Sequence, residues 1–441
     1  MADGFLVFDA GAAYTTSSAY ESVAGADGAG EHTARRAEAR MAHYDVAISG
    51  AGPAGSTAAA VLARAGARVV LLDRAAFPRD KPCAEYLSPE VNVIVRDLGL
   101  AGTIAALRPA RLRGFLVYAQ DGRGFRATFA GSSAGVAERE RGLAIPRTVF
   151  DAALLRAATS AGAELRERAR VTGLGGDDRG VAVHTLHNGK QETVHASLLL
   201  AADGLRSPIA RQLGLMRRCV PHRIALVTHM AGIEALGEYG EMHTSPVGGY
   251  CGIAPFGDGR ANVAMVVDER EGRRMSSDPA GYLRAALAAY PNLGRRVQGA
   301  ELCKPVLATS GLSWRARRYH DRRVALAGDA SGYYDPFTGE GIYKAMAGGH
   351  LAARRLLAAL ASGDEAGALA AYERDLRRLY RGKRLVERIV GFVVHRPLLF
   401  HHVAARLRRR PDMADTLVGV TGDFLPPGRV LSPAYLARLV F

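Results

Sequence analysis

The stretch Tyr44–Arg74, YDVAISGAGPAGSTAAAVLARAGARVVLLDR, decides the fold. Tyr44 to Ser49 is a short apolar run, and Gly50 to Gly55 is a glycine turn that fits GxGxxG. Ser56 to Arg64 reads as an alanine-rich helix stopped by Gly66, and Val69 to Leu72 as the next strand. Gly50 permits the tight turn, Gly52 lets backbone approach a pyrophosphate, and Gly55 lets helix and strand pack closely. Pro53 and Ala54 lie between them, where the helix N-terminus offers free N–H groups and positive dipole to phosphates. Asp73 closes the second strand, where an acid accepts from ribose hydroxyls, and Arg74 follows it. A lone GxGxxG also occurs as an ordinary turn. Strand, turn, helix and terminal acid in register make a dinucleotide site the stronger reading.

Working outward, Ser197 to Ala202 is a buried strand that runs into Asp203-Gly204, and Arg323 to Ala327 runs into Gly328-Asp329. A strand ending this way leaves an aspartate at the carboxyl edge of an α/β sheet, where ligands bind and a ribityl hydroxyl can donate to it. Next comes Asp335-Pro336-Phe337-Thr338-Gly339-Glu340-Gly341-Ile342, a glycine-rich loop feeding a helix over Tyr343 to Leu357. A helix N-terminus aimed at the N1–C2=O edge of a flavin stabilises the negative charge of the reduced ring. Either segment alone is an ordinary turn. In this order after a GxGxxG, the two point to FAD.

The rest of the pattern makes the fold class α/β: a discontinuous Rossmann-type FAD-binding domain, an inserted β-sheet substrate domain, and a C-terminal helical region. Expected boundaries are 41–104, 143–216 and 318–370 for the first, 105–142 and 217–317 for the second, and 371–441 for the last. Phe150 to Ala163 reads as helix, residues 105–130 and 222–313 as strands, and Arg260 to Asp268 as the hairpin partner of Gly249 to Phe256. Residues 1–40 are rich in Ala, Gly, Ser and Thr without a period, and read as a disordered arm, with folding expected to begin at Met41.

Totals bound the function. The 441 residues carry 48% hydrophobic and 23% charged side chains, ordinary for a globular protein, but a net charge of +15. That excess fits nucleic acid, an anionic membrane or an acidic cofactor, or is compositional bias toward arginine. No nucleic-acid-binding module is recognisable, so nucleic acid is not an expected partner. The 4 cysteines are far apart with no CxxC, which suits a reducing cytoplasm and gives no zinc site. His395, His401 and His402 lack ligand partners at metal spacing, so no metal is expected. No apolar run is long enough to span a bilayer. The segment Arg374 to Arg410 alternates arginines with apolar residues. It is read as a helical cap with a solvated arginine face, or as a membrane-peripheral contact. Oligomeric state is left open.

The chain resembles the geranylgeranyl reductase family, within the glutathione-reductase-type flavoproteins that also hold aromatic hydroxylases and flavin-dependent halogenases. The resemblance runs roughly from Tyr44 to Leu357. It rests on YDVAISGAGPAGSTAA, FPRDKPC at Phe77 to Cys83, IPRTVFDAALLRAA at Ile145 to Ala158, AADGLRSPIAR at Ala201 to Arg211, and VALAGDASGYYDPFTGEGI at Val324 to Ile342. It implies that Arg147 contacts FAD and that Lys81 and Cys83 lie near the isoalloxazine. Two positions depart from the family. Ala84-Glu85-Tyr86 follow the cysteine where the family has two glycines, and Gly252 stands where its Gly-Tyr-x-Trp-x-x-Pro sheet motif has tryptophan. The halogenase Trp-x-Trp motif is absent, the sole tryptophan being Trp314.

Cys83, Lys81 and Tyr86 are therefore the candidate catalytic residues. Cys83 is either a proton donor or inert packing, and Lys81 either binds an anionic group or is a solvated lysine. Tyr250, Gly252, Tyr333 and Tyr334 are candidates for the substrate pocket, with core packing as the alternative for the tyrosines. No second GxGxxG appears, so NAD(P)H or another electron donor is expected to visit transiently. The expected reaction is reduction of a carbon–carbon double bond in a small hydrophobic substrate, by flavin hydride transfer and protonation. An oxygen-using monooxygenase and a non-redox cyclisation on a structural FAD are the alternatives.

Overall fold

Val46 to Ser49 and Val69 to Leu72 are both buried along their whole length, as strands covered on two faces must be. They lie in β1 (His43–Ser49) and β2 (Val69–Leu72), joined by helix α1 (Pro53–Arg64). The structure, a computed structural model, describes residues 43–129, 141–177, 180–245 and 249–440, so the expected arm over 1–40 lies outside the described residues. The helix begins at Pro53, earlier than the expected Ser56, because Pro at the first helical turn has no N–H to lose and a preset φ. The last part of the glycine turn is thus already helix.

A parallel sheet forms around β1. Its order is β14 (Val324–Leu326), β8 (Lys190–Ala201), β1, β2 and β7 (Glu164–Arg166), with parallel register throughout. Helix α1, helix α2 (Arg147–Ser160) and helix α4 (Gly341–Ser362) supply apolar residues to its core, among them Leu62, Phe150 and Leu356, all fully buried. The strand expected over Ser197 to Ala202 is longer, because residues from Lys190 pair with Gly180–His187 as a hairpin.

A second sheet carries the other face of the site. Its order is β15 (Gly332–Tyr333), β13 (Leu307–Ala316), β9 (Met216–Ala231), β12 (Arg260–Asp268), β11 (Tyr250–Pro255), β10 (Gly240–Thr244), β4 (Gly114–Tyr118) and β5 (Gly124–Thr128). The expected hairpin is present as β11 and β12, antiparallel from Tyr250↔Val266 to Pro255↔Ala261. A separate short ladder pairs β3 (Tyr86–Leu87) with β6 (Gly142–Ala144). Within the stretch read as strands, Pro279–Ala288 is helix α3, capped by the Asp278 carboxylate on the Gly281 N–H at 2.8 Å. The fold is a Rossmann-type FAD domain with an inserted sheet and C-terminal helices.

The basic C-terminal segment is α5 (Glu365–Val394), α6 (Pro397–Arg409) and α7 (Pro411–Thr421), broken before Pro397 because the residue preceding a proline is biased out of helix. Val386, Val394, Phe400, Val403 and Leu407 pack with Val117 and Phe125 of the second sheet in one apolar cluster. Leu385, Phe392 and Leu398 remain exposed. Among the described residues, no helix is long and apolar enough to cross a membrane.

Candidate functional site

Side-chain-free backbone makes the first wall of the site. A Cβ on Gly55 would stand 1.9 Å from the Gly50 carbonyl oxygen, and one on Gly50, at φ +98°, 2.4 Å from that of Ala202. Neither position admits another residue. The Asp73 carboxylate ties the loop to the strand end, accepting from the Ala51 N–H at 2.8 Å and the Ala75 N–H at 2.9 Å. Asp73 thus also holds the loop in place, a job the sequence reading did not assign it.

Gly52, Pro53 and Ala54 line a cavity of about 170 Å³ together with Lys81, Cys83, Tyr86, Arg147, Gly204, Gly328, Asp329, Tyr333, Pro336, Gly339, Gly341 and Ile342. The far side comes from the second sheet, through Ala225, Val227, Ala264, Val266 and Leu312, an apolar wall that keeps water away. All five stretches that carry the family resemblance reach this cavity, and the second sheet closes it. The N-termini of α1 and α4 both border the cavity, and neither has a side-chain cap on its first N–H groups. Open helix N-termini are sites for phosphate or other negative charge.

The acids of the two strand-end motifs differ. Both oxygens of Asp203 are buried without a well-formed hydrogen bond, and burial pushes its carboxyl up to about 6 against the pull of Ser207, the Ile209 backbone and the Arg74 charge. Asp329 is half-buried and paired with Lys81, Nζ to Oδ2 at 3.6 Å. A buried carboxylate without a well-formed hydrogen bond, beside the Gly50 backbone at the strand end, fits the hydroxyl-rich length of FAD.

A network absent from the sequence reading sits beneath Cys83. Glu85 is 1% exposed at φ +55°, a left-handed conformation that a glycine would adopt without strain. Its carboxylate accepts from the Arg147 N–H at the start of α2 at 2.8 Å and from Asn262 Nδ2 at 3.0 Å, and pairs with His229 Nε2 at 2.6 Å. Asn262 also donates to the Cys83 carbonyl at 2.9 Å, and the Glu85 N–H reaches the Cys83 sulfur at 3.3 Å. The Arg147 guanidinium is held by Asp151 at 2.6 and 2.7 Å and also interacts with the Cys83 thiol; despite burial, these partners hold its pKa well above the ordinary value. Arg79 reaches the same aspartate at 3.3 Å. Cys83, Arg147 and the Glu in a glycine position pointed toward this region, and Arg79 lies in the FPRDKPC stretch; nothing singled out His229 or Asn262.

The other candidates part company. Tyr86 is buried against Phe115, edge to face at 5.0 Å, and its hydroxyl has no partner among the described residues; burial, then Asp423 and Glu340, push its pKa well up. Tyr333 lines the cavity, but Tyr250 is interior, donating to Asp335 at 2.6 Å and meeting Phe337 edge to face. Gly252 lies outside the cavity lining, and a Cβ there would meet the Met242 sulfur at 3.2 Å. Tyr334 lines a neighbouring cleft instead. Among the described residues, no group of three metal-ligating side chains is present.

The sequence profile described as "FAD binding domain" matches residues 43–388. The digeranylgeranylglycerophospholipid reductase of Methanosarcina mazei is 30% identical over 331 residues, 73% of this chain and 77% of its own. The menaquinone reductase of Mycobacterium tuberculosis is 32% identical over 330 residues, 71% of this chain and 76% of its own. Among solved structures, a flavoprotein/dehydrogenase from Cytophaga hutchinsonii superposes with a TM-score of 0.80 at 19% identity, covering 90% of this chain and 98% of that one.

Proposed function

Because the chain belongs to the geranylgeranyl reductase-like group of the FAD binding domain family and is an FAD-dependent oxidoreductase, we propose that it reduces a carbon–carbon double bond in a hydrophobic, isoprenoid-type or specialised metabolite. The names of two relatives, a digeranylgeranylglycerophospholipid reductase and a menaquinone reductase, support a prenylated substrate class. The observation that carries the reading is the placement of Cys83, beside the Arg147 guanidinium, in the same cavity as the two uncapped helix starts.

In this reading the α1 N-terminus with Gly50, Gly52, Pro53, Ala54 and Gly55 holds the pyrophosphate, and Asp73 and Arg74 the adenosine end. Asp203 and Asp329, with Gly204 and Gly328, take the ribityl hydroxyls, while Pro336, Gly339 and the α4 start at Gly341 and Ile342 border the ring. Bound FAD supplies the two-electron hydride chemistry, refilled by NAD(P)H or another donor. The chain supplies the proton. The Cys83 thiol donates it, and the negative charge left on sulfur is met by Arg147 and the Glu85 N–H. Glu85 is a positioning residue that fixes both. Lys81 sits with Asp329 at the cavity rim, where it receives an anionic group, and the apolar wall from β9, β12 and β13 excludes water.

The test is the mass of the product formed under strict anaerobiosis with a prenylated substrate and a chemical or NAD(P)H reductant. A gain of two hydrogens is expected, reduced by Cys83→Ser and Cys83→Ala. Product that forms only in air and gains one oxygen, or product of unchanged mass, overturns the reading.

A further inference from the structure

A second cleft, about 780 Å³, shares Asp329, Tyr333 and Pro336 with the cavity above and continues between β9, β13 and α5. Its charges are unevenly matched. Each carboxylate on its lining has a cation: Asp329 has Lys81, Asp335 has Arg223 at 3.3 Å, and Glu340 and Glu387 share Lys344. Four arginines on the same lining, Arg217, Arg315, Arg384 and Arg388, have no carboxylate partner among the described residues.

Two of them are placed against each other. Arg217 of β9 is the direct cross-strand partner of Arg315 of β13, and like charges directly opposite in a ladder destabilise it. The fold gains nothing from this pair; an anion between the two guanidinium groups would reverse its sign. Arg384 is steadied over the Tyr380 ring at 5.2 Å, which lowers the entropy cost of using it. Unpaired planar guanidinium forks are the chemistry that takes phosphate oxygens in pairs.

We propose that this cleft binds a phosphate ester or pyrophosphate through Arg217, Arg315, Arg384 and Arg388. The anion has two possible sources, a pyridine nucleotide or the phosphorylated end of a prenyl lipid, and the site reads the chemistry they share. The assignment does not rest on which bond the enzyme reduces.

Calorimetric titration of the full-length, FAD-loaded protein with inorganic pyrophosphate tests it. Saturable binding that weakens with added salt is expected, falling by about tenfold or more in Arg315→Gln/Arg384→Gln. Arg217→Gln, at an exposed position, serves as the second variant: pyrophosphate raises the melting temperature of the wild type and raises it less in this variant. Absence of saturable binding, or binding that both variants leave intact, overturns the proposal. Competition separates the sources. Displacement of pyrophosphate by NADPH alone assigns the nucleotide, by farnesyl diphosphate alone the lipid, and by both the shared anion site. Displacement by neither means an adventitious ion only and sinks it. The anaerobic product mass is unaffected by any of these results, so the two failures stay distinguishable.

Discussion

The glycine loop at Gly50–Gly55 and the loop Phe77–Tyr86 border the same cavity, yet they are held in opposite ways. The first is packed backbone on backbone, with no room for a Cβ at Gly55 or Gly50. The second is held by side chains arriving from far away in the chain, His229 and Asn262 on Glu85, and Asp151 on Arg79. A wall made of bare backbone fails when anything is added to it. A wall made of converging side chains fails when something is taken away, and then loses position before it loses the cofactor.

The largest effect should come from addition. Gly55→Val puts a Cβ 1.9 Å from the Gly50 carbonyl, a clash that only a shift of α1 against β1 can relieve. Destabilisation of about 3 kcal/mol or more is expected, with protein that is insoluble or colourless after purification. Flavin absorbance per protein and the melting temperature read it directly. A stable yellow Gly55→Val would break the comparison at its first term.

Removal at Glu85 comes next. Glu85→Ala leaves His229 and Asn262 facing a buried gap and takes the carboxylate from the start of α2. Breaking such a buried pair costs about 3 kcal/mol, and Glu85→Gln, whose single amide oxygen keeps one of the two acceptor sites, toward the Arg147 N–H or toward Asn262, should recover part of it. Flavin content should stay near wild type while turnover falls. Denaturant unfolding and flavin absorbance on the same samples measure the two separately. Parallel loss of both would mean that the two walls are not independent.

Asp203 tests the nucleotide side by pH. Burial holds its carboxyl up at about 6 where 3.8 is ordinary, so ionising it opposes folding of the apoprotein. Apoprotein stability should therefore fall as pH rises from about 4 to about 6, by about 2 to 3 kcal/mol, and level off above. FAD binding should run the other way, tightening through the same window as the ionised carboxylate gains hydroxyl donors. Asp203→Asn should flatten both profiles and weaken FAD binding about tenfold at pH values above the window. Fluorescence titration of apoprotein with FAD across pH gives the profile, and an unchanged slope in the variant would refute the role.

How far each wall was legible follows from the same contrast. The strand, turn, helix and acid of Tyr44–Asp73 are contiguous, so periodicity and glycine spacing announce them, even though Pro53 rather than Ser56 opens the helix. The hairpin of β11 and β12 was legible for the same local reason. Glu85 with His229 and Asn262 was not, because those two, opposite each other across β9 and β12, meet a loop far earlier in the chain only when the second sheet packs against it. Tyr250 and Gly252 lie outside the lining of the cavity, Tyr250 with its hydroxyl on Asp335 and Gly252 beside Met242, placements that only the folded second sheet decides. Helix α3 was readable from Asp278-Pro279 but was overrun by the strand pattern on either side.

Tyr86→Phe is the smallest change and the one that best separates position from chemistry on the side-chain wall. The Tyr86 ring packs between Phe115 and Phe129 and against Gly339, so it is needed as a wall. Its hydroxyl is buried without a partner, and Asp423 and Glu340 nearby make its phenolate still less favourable than burial alone. A group that surrenders its proton so reluctantly is a poor proton donor. Removing the oxygen also relieves an unmet desolvation cost, so Tyr86→Phe should be neutral or gain about 1 kcal/mol in stability, with turnover within about twofold of wild type. Tyr86→Ala, which deletes the ring, should lose about 3 kcal/mol. Steady-state rates beside thermal unfolding of both variants decide it: a large rate loss in Tyr86→Phe with stability intact would move the proton from Cys83 to this tyrosine.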